Sequence, residues 1–173
     1  MANPTYGDEF AWAAAWSNGS PRPFIIASTT RDTRSAVVEA IELAAQAHAG
    51  QTDKAGQPYI LHPLRVMLAM ETEDERVAAV LHDVVEDSPH IGHGDILALF
   101  GADIHEAVFA LTRQEGEPYP DFLQRCKANP IARRVKLADI ADNLSPARSA
   151  SLPDRLRQRY IAGRVALTEG KDD

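Results

Sequence analysis

Cysteine is almost missing from this chain. The single one among 173 residues, Cys126, excludes a disulfide framework and a thiolate metal site. Long apolar runs are missing as well. No stretch approaches the ~20 consecutive apolar residues of a membrane span, and no basic region followed by an apolar run marks a secretory signal at the N-terminus. Positive charge is in deficit: Lys and Arg number 18 against 25 Asp and Glu, a formal net charge of −7. That balance argues against a nucleic-acid partner held by a broad basic surface. It leaves room for a small phosphorylated ligand, because a bound metal and a few Lys or Arg can build a local positive site. Pro and Gly are not enriched and apolar content is ordinary, which fits a globular, cytoplasmic protein with no membrane association. Sustained period-two alternation, internal repeats and low-complexity segments are absent too, so no strand is expected.

Helical signals fill the chain instead. Residues 1–30 read as an irregular N-terminal extension, broken by Asn3-Pro4, Ser17-Asn18-Gly19-Ser20 and Pro21-Arg22-Pro23. Trp12 and Trp16 offer apolar contacts to the body or to a second copy, so a homo-oligomer is open. Residues 31–173 read as one all-α domain of about eight helices. Asp32-Thr33 can cap a helix to about His48, ended by Gly50. After a polar loop and an extended Pro58–His62 segment, Pro63 suits the first turn of a helix through Met70. Arg76 to Val85 reads as the central helix, followed by a loop from Ser88 to Gly94. Further helices are expected over Asp95–Phe100, from Gly101 to Thr112, over Asp121–Ala128, from Pro130 to Leu144 with Pro146 as a limit, and from Pro153-Asp154 to Thr168.

Three polar islands interrupt the apolar pattern. Val77, Val80, Leu81 and Val84 recur at helical spacing, yet His82-Asp83 falls among them, and Glu86-Asp87 follows one turn on. Burying unpaired polar groups costs roughly 1–3 kcal/mol each, so a partner is expected. Lys136 to Leu144 repeats the anomaly with Asp139 and Asn143, and His62 stands between Leu61 and Pro63. Asp139 meets His82-Asp83 only if the two helices pack side by side. Together His62, His82, Asp83 and Asp139 make a set of two imidazoles and two carboxylates, which suits Mn²⁺, Fe²⁺ or Zn²⁺ better than Ca²⁺. Such a metal could acidify a water and neutralise phosphoryl charge. Glu86 and Asp87 are candidates to take a proton from the attacking water or to give one to the leaving oxygen. His48, in the turn after the first helix, reads as structural. His90 and His93 read as solvated loop residues, His105 as exposed, and Arg133 and Arg134 as a solvated helix face.

Ala47-His-Ala-Gly-Gln51, Lys54-Ala-Gly-Gln-Pro-Tyr-Ile-Leu-His-Pro63, Leu81-His-Asp-Val-Val-Glu-Asp87, Phe100-Gly101, Ala110-Leu-Thr112 and Val135-Lys-Leu-Ala-Asp139 to Asn143 occur in this order. The series resembles the HD-type metal phosphohydrolases, and more narrowly the hydrolase domain of the Rel/Spo stringent-response enzymes and the small alarmone hydrolases. The resemblance implies an all-α fold and one Mn²⁺ held by His62, His82, Asp83 and Asp139, with Glu86 and Asp87 as the catalytic acidic pair. It implies hydrolysis of the 3′-pyrophosphate of guanosine tetra- or pentaphosphate (ppGpp or pppGpp) to GDP or GTP and pyrophosphate. Lys54 matches a substrate-binding lysine and Asn143 a residue contacting the nucleoside, while Arg157 and Tyr160 on the last helix resemble groups near the nucleotide. No room for a synthetase domain is expected beside it.

Two positions depart from the resemblance. Asp53 precedes Lys54 where the family commonly has Arg, and Ser145-Pro146 stands where another Arg is common, the nearest arginine being Arg148. Base identity is therefore open, and an adenosine alarmone (ppApp or pppApp) is an alternative substrate. Hydrolysis of another nucleotide, or nucleotide binding without turnover, would be further alternatives.

Overall fold

The computed structural model describes residues 35–149 and 152–169. The expected N-terminal extension, with Trp12 and Trp16, and the Asp32-Thr33 cap lie outside the described residues. Within them the protein is all-α: eight helices of eight residues or more, two one-turn helices, and no strand.

Helix α1 (Ala36–Ala47) is capped by Ser35, whose side chain accepts the Val37 N–H at 3.3 Å. The same hydroxyl donates to Glu73 at 2.7 Å and ties α1 to α3. The loop after it is short and closed on itself. Tyr59 N–H donates to Gln51 O at 2.9 Å, Asp53 N–H to Gln57 O at 2.8 Å, and Gly56 takes φ 77°, a turn that a side chain would strain. Helix α2 (Leu61–Leu68) carries Pro63 in its first turn, where the missing N–H costs nothing.

Helix α3 (Glu73–Leu81) starts earlier than Arg76. Thr72 and Glu75 form a reciprocal capping box that satisfies backbone N–H groups at both positions. It also stops earlier than Val85. His82 Nδ1 lies 2.7 Å from the Ala79 carbonyl, near the acceptor that a continuing helix would give to the residue 83 N–H. The chain turns at His82-Asp83 and resumes as one-turn α4 (Val84–Asp87). The break turns the polar pair out of the apolar stripe that Val77, Val80, Leu81 and Val84 continue to fill, each at most 1% exposed.

Helix α5 (His93–Phe100) begins inside the segment expected to be loop, and Gly101, at φ 84°, separates it from α6 (Ala102–Leu111). His93 and His105 are half-buried, their rings edge-on to each other and tilted against Phe109, so neither is the solvated group expected. Helix α7 (Tyr119–Ala128) follows Pro118, and α8 (Pro130–Asn143) is capped by Asn129, which accepts the Ala132 N–H at 2.9 Å. Helix α8 ends at Asn143, short of Pro146 as expected, and Pro146 then opens one-turn α9 (Pro146–Ser149). Helix α10 (Asp154–Thr168) closes the bundle, pinned where Arg133 donates to Leu167 O at 2.7 Å. Arg134 pairs with Glu75 at 2.7 Å, so neither arginine belongs to a purely solvated face.

Helices α3 and α8 lie side by side at the centre, with α1, α2, α6, α7 and α10 around them. Leu43, Leu81, Ile96, Ile140 and Leu167 are sealed inside, each worth roughly 1.5–3 kcal/mol of transfer free energy. Cys126 is buried with its thiol against Ala110 O at 3.1 Å, and burial pushes its pKa up to about 11. No described helix is long and apolar enough to cross a membrane.

Candidate metal centre and nucleotide cavity

Because α3 and α8 pack together, the His82-Asp83 turn and the Asp139 face of α8 meet, and His62 from the first turn of α2 completes the group. One donor atom each from His62, His82 and Asp139 lies within 4.8 Å of the others, and all three residues are buried. His62 Nε2 is 3.1 Å from Asp139 Oδ1. Asp83 Oδ2 is 3.0 Å from His82 Nε2 and 3.9 Å from His62 Nε2. The four expected ligands are thus brought together.

The donors suit a divalent cation. His82 Nδ1 donates to Ala79 O, so Nε2 is the buried nitrogen facing the cluster, 3.0 Å from Asp83 Oδ2, and loss of its proton would present a lone pair there. Burial favours a neutral His82, but Asp83 and Asp139 outweigh it and push the pKa up to about 9. A cation in the cluster would supply the positive charge that this proton otherwise provides. Burial works against ionised Asp83 and Asp139, yet His82 beside the first and Lys136 beside the second hold both carboxyls below their ordinary range.

A cavity of about 460 Å³ opens from this cluster. Lys54, Asn143 and Tyr160 line it, as does Glu86. Lys54 is held there by its loop: Asp53 Oδ1 accepts the Ala55 and Gln57 N–H groups, each at 2.9 Å. Asn143 donates from Nδ2 to Asp139 Oδ1 at 2.6 Å and to Asp139 O at 3.0 Å, so it also fixes the Asp139 carboxylate. Burial and the charge of Asp83 hold the Glu86 carboxyl above its ordinary range, although the Arg113 N–H donates to it. Asp87 is not a lining residue; its carboxylate faces His48 Nδ1 at 3.8 Å, and burial with Asp83 raises it too. His48 is buried and bonds the Gln51 side chain at 2.9 Å. Arg157 is not among the lining residues. Arg159 is, its guanidinium 4.9 Å from the Tyr119 ring centroid.

Several site residues were not singled out from the sequence. Tyr59 donates its hydroxyl to Asp83 Oδ2 at 2.5 Å. Lys136 lies within the cavity wall, 2.7 Å from Asp139 Oδ2 and 5.1 Å from the Phe122 ring centroid. The i,i+3 spacing of Lys136 and Asp139 was a legible signal. Asp142 accepts from His62 Nδ1 at 2.7 Å and from Arg65 through two bonds, which no local pattern announces. Arg148, brought round by α9, lines the cavity 3.6 Å from Asp142.

The HD domain family matches residues 40–162, and the chain belongs to that family. It is 37% identical over 87 residues to the bifunctional (p)ppGpp synthase/hydrolase SpoT of Escherichia coli K12, covering 48% of this chain and 12% of that one. It is 34% identical over 131 residues to the guanosine-3′,5′-bis(diphosphate) 3′-pyrophosphohydrolase of Haemophilus influenzae, covering 67% of this chain and 19% of the relative. The chain therefore spans under a fifth of the length of these relatives. Its fold is similar to the solved structure of a metazoan ortholog of SpoT that hydrolyzes ppGpp, with a TM-score of 0.63, 24% identity, and coverage of 81% of this chain and 89% of that one.

Proposed function

We propose that this protein is a small alarmone hydrolase: a Mn²⁺-dependent enzyme that removes the 3′-pyrophosphate from ppGpp and pppGpp in the cytoplasm. The observation that carries the reading is the buried His62–His82–Asp139 cluster opening into a cavity whose wall holds Lys54, Arg148 and Arg159. A polyanionic ligand would meet cations there although the chain is acidic overall. The names of the relatives support the same substrate class.

His62, His82, Asp83 and Asp139 would hold the cation, and mixed imidazole and carboxylate donors suit Mn²⁺. When bound, the metal would lower the pKa of a water and neutralise phosphoryl charge. Water oxygen attacks the phosphorus joined to the ribose 3′-oxygen, that P–O bond breaks, and the 3′-oxygen leaves with a proton. Glu86, at the cavity wall with a raised pKa, exchanges the proton with the water or the leaving oxygen. Lys54, Arg148 and Arg159 bind the phosphates, and Tyr160 offers a ring to the base. Asp87 keeps a supporting part beside His48 in this scheme.

The adenosine alarmones stay a second reading because Asp53 lines the cavity with one oxygen committed to its own loop and the other left as an acceptor for an exocyclic amine. The test is product analysis. Purified protein with Mn²⁺ is given guanosine and adenosine tetraphosphates side by side, with His82→Ala as control. Pyrophosphate released from either and lost in the control is the expected result, and the rate ratio reads the base preference. Mn²⁺-loaded protein that releases none from both would overturn the proposal.

A further inference from the structure

The functional reading uses four ligands and leaves Asp142 without a role. This carboxylate is placed as though it had one. It sits on α8, one turn from Asp139, with its side chain 10% exposed. Its Oδ2 meets His62 Nδ1 at 2.7 Å, a contact between residues 80 positions apart in sequence. Arg65, one turn after His62 on α2, donates from Nε to Oδ1 at 2.6 Å and from Nη2 to Oδ2 at 3.0 Å. Arg148 approaches the same Oδ2 at 3.6 Å from the cavity side.

An imidazole that donates from one nitrogen to a carboxylate presents the other as a lone pair. A carboxylate behind a ligating histidine therefore fixes both the tautomer and the orientation of the ring, and it makes the ligand more basic. His62 Nε2 is the nitrogen facing Asp139 and Asp83. The paired bonds from Arg65 fix the plane of the Asp142 carboxylate, so Oδ2 is not left to choose its direction. Three helical elements converge on this one group: α2 through His62 and Arg65, α8 through Asp142, and α9 through Arg148.

We propose that Asp142, braced by Arg65, is the positioning residue of the metal centre: it holds His62 as the Nδ1–H tautomer so that Nε2 serves as a ligand. The inference rests on the functional reading above, since it presumes that a divalent cation occupies the cluster. It goes further in assigning the affinity of that site to a residue outside the ligand set. Because Arg148 Nη1 stands 3.6 Å from the same oxygen on the cavity side, phosphate binding and metal retention meet near Asp142.

The test measures metal binding directly on the whole protein. Mn²⁺ affinity is read from the electron paramagnetic resonance signal of free Mn²⁺ for wild type, Asp142→Asn, Asp142→Ser and Arg65→Gln. Loss of a partner of this kind typically weakens metal binding about 10- to 100-fold, and that range is expected for both Asp142 variants, with a smaller loss for Arg65→Gln. Circular dichroism identifies any variant that fails to fold, and the remaining one carries the comparison. A tautomer readout separates positioning from packing. In Zn²⁺-loaded, ¹⁵N-histidine-labelled protein, His62 should show its ring proton on Nδ1 in wild type, and the downfield proton resonance of that hydrogen bond should disappear in Asp142→Ser. If wild type binds Mn²⁺ and a folded Asp142 variant binds it within about twofold of wild type, the proposal is overturned and the functional reading stands. If wild type binds no divalent cation, the functional reading falls and takes the proposal with it.

Discussion

Replacing Gly163 with Ala would probe the seam that holds α10 over the cavity. Gly163 is buried, and a Cβ built there would stand 2.9 Å from Tyr119 Oη and 3.3 Å from Ile140 Cδ1. The first distance is too short for any real contact, and Tyr119 has little freedom to retreat with Arg159 on its ring and Phe122 6.0 Å away. Overpacking of this kind costs about 1–3 kcal/mol, while Ala gains about 1 kcal/mol over Gly within a helix, leaving about 0–2 kcal/mol of net destabilisation. For a chain of this size that lowers Tm by up to about 8 °C. Tyr119 Oη is buried with no hydrogen-bond partner, so Tyr119→Phe itself should cost little. In the Tyr119→Phe background the clash with oxygen is gone and Gly163→Ala should become neutral or stabilising by up to about 1 kcal/mol. The assay is a thermal and urea double-mutant cycle on the four proteins. Equal stabilisation by Gly163→Ala in both backgrounds would refute the reasoning, because it would mean that helix propensity alone acts at this position.

Lys136→Met should destabilise the metal-free protein by about 3–5 kcal/mol, because Asp139 would be left as a buried carboxylate without its cation; urea unfolding should show the deficit shrinking when Mn²⁺ is added. Arg148→Ala should lower kcat/KM for the guanosine tetraphosphate about 10- to 100-fold, as expected for losing one charge-assisted bond to phosphate, chiefly through KM in steady-state assays. Glu75 is held below its ordinary value near 4.5 because the Thr72 and Glu71 N–H groups and Arg134 outweigh its burial. Its stabilising contribution is therefore full above about pH 4.5 and is lost as pH falls through the lowered folded value. Glu75→Gln should accordingly be less stable than wild type at pH 7, by about 1 kcal/mol, with the two converging in urea midpoints measured below pH 4. A gap that stays constant with pH would contradict this assignment.

The helical architecture was legible because its causes are local. Apolar spacing, Pro63 in a first turn, Gly101 between two helices and Pro130 after Asn129 each act within a few residues. The cluster was legible because His62, His82, Asp83 and Asp139 are polar groups embedded in apolar runs, and the all-α packing brings these side chains together. The central helix differs from its expected extent at both ends for reasons that are also physical. Thr72 with Glu75 started it sooner, and the His82 side chain took up the Ala79 carbonyl near its end.

The rest was decided by tertiary structure. Which arginine of the last helix reaches the cavity depends on the rotational phase of α10, fixed by Gly163 and Leu167 against α7 and α8, and that phase selects Arg159 over Arg157. Asp142 becomes the partner of His62 only when α2 crosses α8, and Arg148 reaches the cavity from one-turn α9, which Pro146 opens after α8 has ended. Sequence by itself determined that this chain is a helical HD-type domain carrying a two-histidine, two-carboxylate set, since those signals are written in short-range spacing. The tertiary fold alone decided how the set is braced and which cations face it, since those depend on distances between segments that only packing brings together.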